Sequence, residues 1–206
     1  MTGIANSTAR ALILASASTA RAAVLRGAGL SFTVEPSRVD EDAVKASLKA
    51  EGASARDVAL ALADLKAAKI SARHPGAIVI GADQMLNCNG VWFDKPPDME
   101  TLHAQLMALR GKTHHLEAAL CVHENGRRIW HVVERAALTM RDFSDDFLKG
   151  YVEIAGEDTL ASVGGYRLEG TGAQLFSRIE GDYFTILGLP LLPLLDFLRH
   201  HGVVQK

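Results

Sequence analysis

The stretch Ser16-Ala17-Ser18-Thr19-Ala20-Arg21 gathers hydroxyls and a guanidinium directly behind an apolar run, Leu12-Ile13-Leu14-Ala15. Small hydroxyl residues at a strand-to-helix junction make an anion site, because free backbone N–H groups and the helix dipole favour negative charge there. Ser16 and Ser18 add hydroxyl donors, and Arg21 adds a fork donor suited to phosphate oxygens. A second group, Ile80-Gly81-Ala82-Asp83-Gln84, sets a carboxylate at the end of an apolar, β-branched run. Ligands of α/β sheets bind at such strand ends, where Asp83 can serve as a general base or a metal ligand. Lys95, held before Pro96-Pro97, can present a point charge to a phosphate. The acidic cluster Val39-Asp40-Glu41-Asp42 can bind a hard cation such as Mg²⁺.

Taken singly, each group has a plain structural reading: a capped helix with a solvated arginine, an aspartate capping a turn, a surface turn, a solvated charge run. The glycines of Gly164-Gly165-Tyr166-Arg167-Leu168-Glu169-Gly170 suit close approach to a ligand or an ordinary turn equally well. Together the groups supply cations, hydroxyl donors and several carboxylates, the equipment of a metal-assisted phosphate site. His114-His115 lacks further ligands at zinc spacing. No Gly-x-Ser-x-Gly elbow supports a Ser/His esterase.

The elements that must position these residues alternate between strand and helix patterns. Residues 12–15 read as a short buried strand, followed by a helix from Ser18 or Thr19 to about Arg26. A second strand is expected at 31–35 and a helix at about 54–72, with Val58, Leu62 and Leu65 on its apolar face. Residues 77–81 read as a strand buried on both faces, and Met99–Leu109 as a helix that Gly111 stops. Residues 115–123 and 128–140 form a hairpin around Asn125-Gly126, and Ser144 caps a helix to about Ala155. Two strands turning at Gly181-Asp182 are expected within 173–187, and Pro190 opens a last helix. The pattern is mixed α/β with a substantial sheet, and no linker divides residues 1–206.

Composition narrows the class. The 206 residues are 48% hydrophobic and 22% charged, with a formal net charge of −2. No global field therefore recruits nucleic acid or an anionic membrane, and no apolar run approaches the roughly 20 residues of a membrane span. The two cysteines, Cys88 and Cys121, match no zinc or redox spacing and read as buried free thiols. No signal peptide is expected, and the setting reads as reducing and cytoplasmic.

The blocks "LASASTAR", "VDEDA", "LADLKAAK", "GADQ", "DKP", "LRGKTHHL", "VGGYRLEGTGAQLF" and "IEGDYFTILGLPL" occur in this order. In this the chain resembles the Maf family of nucleoside triphosphate pyrophosphatases, nearly end to end. The resemblance implies a central mixed sheet flanked by helices, with an active-site cleft between two lobes. It implies hydrolysis of a nucleoside triphosphate to the monophosphate and diphosphate with a divalent cation, Mg²⁺ or Mn²⁺. The family's acid-base residue falls on Asp83. Its phosphate and metal group falls on Ser16, Ser18, Arg21, Glu41, Lys66 and Lys95, with Glu41 and Asp83 as the cation ligands. A homodimer is also implied, and a nucleotide-binding regulator of cell division or septation is the rival reading.

Gln84 stands where the dTTP/UTP branch of the family usually has Thr, and Glu169 where it has Gln. Both resemble the branch that hydrolyses 7-methyl-GTP, although Ala20 replaces the aromatic residue often found there. Chemistry points the same way. A carboxylate accepts from both N1–H and N2–H₂ of guanine, and N7 methylation adds a positive charge that it favours.

Overall fold

A computed structural model describes residues 10–205. In chain order the elements are β1 (Leu12–Leu14), α1 (Thr19–Gly27), β2 (Thr33–Val34), α2 (Glu41–Ala50), α3 (Ala55–Ser71), β3 (Ile78–Cys88) and β4 (Val91–Phe93). They continue with α4 (Met99–Leu109), β5 (Thr113–Glu124), β6 (Arg127–Met140), α5 (Asp145–Ala155), β7 (Phe176–Glu180), α6 (Tyr183–Ile186) and α7 (Leu191–His200). Three short 3₁₀ turns lie between α5 and β7, at Glu157–Ala161, Val163–Gly165 and Thr171–Leu175. The seven strands form one mixed sheet in the order β2-β1-β3-β5-β6-β7, with β4 beside β3.

Local chemistry sets most of the helix starts. Ser18, Ser54, Ser144 and Asp182 each accept a backbone N–H three residues on, as capping side chains do. Asn125 and Gly126, at φ 53° and 74°, make the tight turn of the β5–β6 hairpin. Asp182 also corrects the expected second strand in 173–187. By capping Thr185 it starts the helical turn α6 after β7.

β3 differs from the expected strand 77–81 in a way that matters. It runs on to Cys88 because β5 pairs with it from Ile78 to Asn87, far beyond the end of β1. Asp83 is therefore in mid-strand rather than at a strand end. The segment at 41–50 is also more than a charge run. Asp40 caps α2 and accepts from Ala43 N–H, with Glu41 and Asp42 in the first turn, where the helix dipole favours acidic residues.

Alternate residues of β3 face two cores. Ile78, Ile80 and Ala82 pack with Leu25 of α1 and with Leu194 and Leu198 of α7. Val79 and Met85 pack with Val58, Leu62 and the alanines of α3. The far end of the sheet, with α4 and α5, makes a third core around Leu86, Leu102, Leu116 and Tyr166.

The buried stripe of α3 runs through Ala59, Ala63 and Ala67, which places Leu65 on the exposed side instead of in the expected core. Those small residues bring the helix backbone down onto Gly81. A Cβ there would sit 2.1 Å from the Ala63 carbonyl oxygen and 2.7 Å from the Ala67 nitrogen. Backbone cannot yield as a side-chain tip does. Gly81→Ala is expected to destabilise the fold by at least about 3 kcal/mol, read from urea unfolding midpoints. An unchanged midpoint would show that α3 can shift.

His114 gives a second expected result. It is fully buried, and its Nε2 shares a 2.6 Å hydrogen bond with the Tyr166 hydroxyl. Burial, helped by the neighbouring His115, lowers its pKa from 6.5 to about 4. The folded state thus refuses a proton that the unfolded chain accepts. Stability from this group is complete above pH 6.5 and drains away as pH falls toward 4, by up to roughly 3 kcal/mol. His114→Gln is expected to remove that part of the acid sensitivity. Urea midpoints at pH 7.5 and 4.5 measure it, and equal slopes for both proteins would reject it.

Candidate active site

The site occupies a notch in the sheet. On the edge of β3 away from β5, β1 covers only Ile78–Ile80 and β4 only Leu86–Cys88. Between them the edge is open from Gly81 to Met85. The Ile80 carbonyl accepts Ala15 N–H at 2.8 Å as the last bond of the β1 side. Two residues on, the Ala82 carbonyl points the same way and has no strand partner there. Arg21 takes that place, donating from one terminal nitrogen at 3.0 Å. Because the notch cuts through the sheet, Asp83 on one face and Gln84 on the other line the same cavity, of about 970 Å³.

Arg21 is gripped on three sides. Its Nε donates to the Gly188 carbonyl at 2.8 Å, and the nitrogen on Ala82 also reaches Ser16 Oγ at 3.2 Å. Burial lowers its pKa, opposed by the Asp83 and Glu41 carboxylates, and it remains a cation at neutral pH. Ser16, itself buried, also accepts Ser18 N–H at 3.3 Å, while the Ser18 hydroxyl caps α1 by accepting Arg21 N–H. The loop 16–21 is thereby fixed before any ligand arrives.

On the other face, α3 delivers Lys66. Its ammonium donates to Asp83 Oδ1 at 2.6 Å and pairs with Glu41 Oε1 at 2.7 Å. Lys66 and Asp83 are 6% and 5% exposed, so this pair is shielded from water. Burial alone would raise the pKa of Glu41. The hydrogen bond and charge of Lys66, with Lys45 and Lys95, outweigh burial and hold it below the usual range. Lys95 is exposed on the rim, with its pKa lowered by desolvation in the cleft and then by the nearby Arg21 charge.

Of the residues expected at the site, Ser16, Ser18, Arg21, Glu41, Lys66, Asp83, Gln84, Lys95, Ala20 and Glu169 all line this one cavity. Gln84 and Glu169 are engaged as well. Gln84 Nε2 donates to the Thr185 and Ile186 carbonyls, at 3.0 and 3.2 Å, which turns its Oε1 acceptor away from them. Glu169 Oε1 accepts from Arg167 Nε at 3.0 Å, so its charge is partly matched.

The structure adds residues that sequence reasoning passed over. Lys45 pairs with Asp94 at 2.5 Å beside the carboxylates, and this pairing outweighs burial to raise its pKa. Its signal was its position four residues after Glu41, one helical turn on, visible only once 41–50 is a helix. Arg167 was hidden inside a glycine-rich segment. Tyr166 lines the cleft with its hydroxyl tied to His114.

The lining carries five cations (Arg21, Lys45, Lys66, Lys95, Arg167) and seven carboxylates (Glu41, Asp42, Asp83, Asp94, Glu157, Asp158, Glu169), a formal charge of −2. The cleft thus has donors for phosphate oxygens but lacks the net charge to neutralise a triphosphate.

A family model described as Maf-like protein matches residues 11–201. The chain belongs to the Maf family. Among its relatives, the nucleoside triphosphate pyrophosphatase of Paramagnetospirillum magneticum is 60% identical over 190 residues, 92% of this chain and 98% of that protein. A protein of the same name in Granulibacter bethesdensis is 57% identical over 190 residues, 92% of this chain and 96% of its own length. The 7-methyl-GTP pyrophosphatase of Brucella abortus is 47% identical over 194 residues, 94% of this chain and 98% of that protein. In this Maf chain no helix among the described residues is long and apolar enough to cross a membrane.

Among the described residues of this Maf protein, no three His, Cys, Asp or Glu side chains converge to hold a metal. Glu41 and Asp83 do converge, on one ammonium. Two hard carboxylates in a cleft of negative formal charge fit a divalent cation that takes its other ligands from substrate phosphates and water.

Proposed function

We propose that this chain hydrolyses a nucleoside triphosphate to the monophosphate and diphosphate, with a 7-methylated guanine nucleotide as the preferred substrate. The observation that carries this reading is the Lys66 ammonium shared by Asp83 and Glu41 inside a notch whose rim is Arg21, Ser16 and Lys95. The names of the relatives agree with it.

The triphosphate enters with its oxygens toward the free backbone N–H groups at the start of α1 and the cations Arg21, Lys66 and Lys95. Arg21 is held by backbone carbonyls on both sides, so it meets the phosphates without reorganising. Asp83, as a carboxylate, accepts a proton from water as the water oxygen bonds to the first phosphorus. The bond from that phosphorus to the bridging oxygen breaks, and diphosphate leaves with the electron pair. Lys66 and Lys95 stabilise the charge that gathers on the departing group. A divalent cation held by Glu41 and Asp83, Mg²⁺ or Mn²⁺, supplies phosphate neutralisation and a more acidic water when bound.

At the base, Gln84 presents its acceptor oxygen to the N–H groups of guanine, and Glu169 sets a carboxylate beside the positive ring of the N7-methylated base. A uracil or thymine edge sets carbonyls against them, and a site built for donors rejects an analogue that lacks them. The test is a comparison of kcat/KM for 7-methyl-GTP, dTTP and UTP by diphosphate release with pure protein. The methylated guanine nucleotide is expected to lead. A lead for dTTP or UTP overturns the base preference alone. Binding without turnover of any nucleotide returns the protein to a regulatory role.

Lys95 gives a sharper check on the cradle. Its exposed ammonium holds no structural partner among the hydrogen bonds and ion pairs of the described residues. Lys95→Ala is therefore expected to lower kcat/KM by about 10–100-fold with an unchanged unfolding midpoint, the worth of one hydrogen bond to a charged group. Wild-type kinetics in this variant would make Lys95 a surface charge.

A further inference from the structure

The cleft does not end at the nucleotide. A groove of about 700 Å³ runs between α1 and the pair α6 and α7, and it shares Thr19, Ala20, Arg167, Glu169 and Leu187 with the cleft. Its other walls are Ala23, Val24, Tyr183, Phe184, Leu191 and Leu195, with Gly27 and Ala28 at its far end. Beyond the Arg167–Glu169 ion pair at the junction, the only polar side-chain atoms among the described residues of the lining are the hydroxyls of Thr19 and Tyr183.

The cleft alone, at about 970 Å³, is at the upper end of the 300–1,000 Å³ range of small-molecule sites. An ordinary nucleotide needs no second chamber. With the triphosphate on Arg21, Lys66 and Lys95, the base is left to the part walled by Glu169, Arg167 and Leu187, where the groove opens. The groove is opened by the chain's own small residues: Ala20, Ala23 and Gly27 lie on one side of α1 and project little or nothing. Tyr183, 46% exposed and edge-on to Phe184 at 5.8 Å, adds an aromatic wall.

We propose that this groove receives an apolar substituent carried by the substrate's base. The substrate class is a purine nucleoside triphosphate alkylated on a ring nitrogen with a group larger than methyl. Alkylation there leaves a positive charge on the ring, beside the Glu169 carboxylate at the junction, and sends the apolar group past Ala20 between α1 and α7. This rests on the pyrophosphatase reading of the cleft.

The test measures kcat/KM for 7-methyl-GTP, 7-benzyl-GTP and UTP in the wild type, Ala23→Leu and Ala23→Trp, with sedimentation of each protein. Ala23 is exposed and lines only the groove, so both variants are expected to keep the fold. The wild type is expected to accept the benzyl compound within about tenfold of the methyl one. The variants are expected to lose the benzyl compound in order of side-chain size, by about 10–200-fold for Trp, and to keep the methyl one within about twofold. Failure of the wild type on the benzyl compound, or an equal loss of both compounds in Ala23→Trp, overturns the proposal. So does a changed oligomeric state with an unmoved benzyl-to-methyl ratio, which assigns the groove to a second copy of the chain. Turnover of UTP without either guanine compound overturns the proposal and leaves the pyrophosphatase reading standing. A wild type that hydrolyses none of the three overturns both.

Discussion

Asp83→Asn is expected to slow diphosphate release by about 10²–10⁴-fold, the loss that follows removal of a positioned base. The amide keeps the shape of the side chain and can still accept from Lys66, but it cannot take a proton from water. Lys66 also keeps Glu41, at 2.7 Å, so its buried charge is not stranded. The unfolding midpoint is therefore expected to move less than in the Lys66 variant below. Single-turnover diphosphate release, with urea unfolding on the same preparation, separates chemistry from folding. A variant that retains a tenth of wild-type turnover would remove Asp83 from the role of base.

Lys66→Met is expected to cost about 3–5 kcal/mol of stability, the penalty for stripping a buried charge of its partner. Asp83 is 5% exposed, and without the ammonium it faces the Glu41 carboxylate across the same gap. Methionine fills the space but supplies no charge. Millimolar Mn²⁺ is expected to raise the urea midpoint more in this variant than in the wild type, because the two carboxylates then lack the ammonium that bridges them. A midpoint that stays at the wild-type value would show that water, rather than Lys66, stabilises the pair. A midpoint that ignores Mn²⁺ would remove Glu41 and Asp83 as a shared cation site.

What these two variants probe was only partly legible in the sequence. The order α1, α3, β5, β6, α5 and α7 was readable because local signals fix it. Serines cap α1, α3 and α5, the Asn125-Gly126 pair turns the hairpin, and Pro190 opens α7. Such signals act within a few residues, so they survive in a linear reading. α2 was missed because its capping residue, Asp40, sits in an acidic run that looks like a solvated surface. The tail of β3 was missed because Asp83, Gln84 and Asn87 break the apolar run, and only pairing with β5 keeps them extended.

By itself the sequence determined which chemical groups are present and which elements carry them: the Ser16–Arg21 junction, the Asp83 strand, the Lys66 helix, the Lys95 turn. Only the tertiary structure decided that they meet. The notch exists because β1 stops at Leu14, opposite Ile80, and β4 reaches back only to Phe93, opposite Leu86, a property of three strands together. Lys66 reaches Asp83 because Gly81 and the alanines of α3 let a helix lie against a strand. That closeness depends on atoms far apart in sequence filling one volume, which no local pattern encodes. The same holds for charge. The sequence counts lysines and aspartates, but only the fold brings Lys66 between two carboxylates and leaves Lys95 facing the cleft.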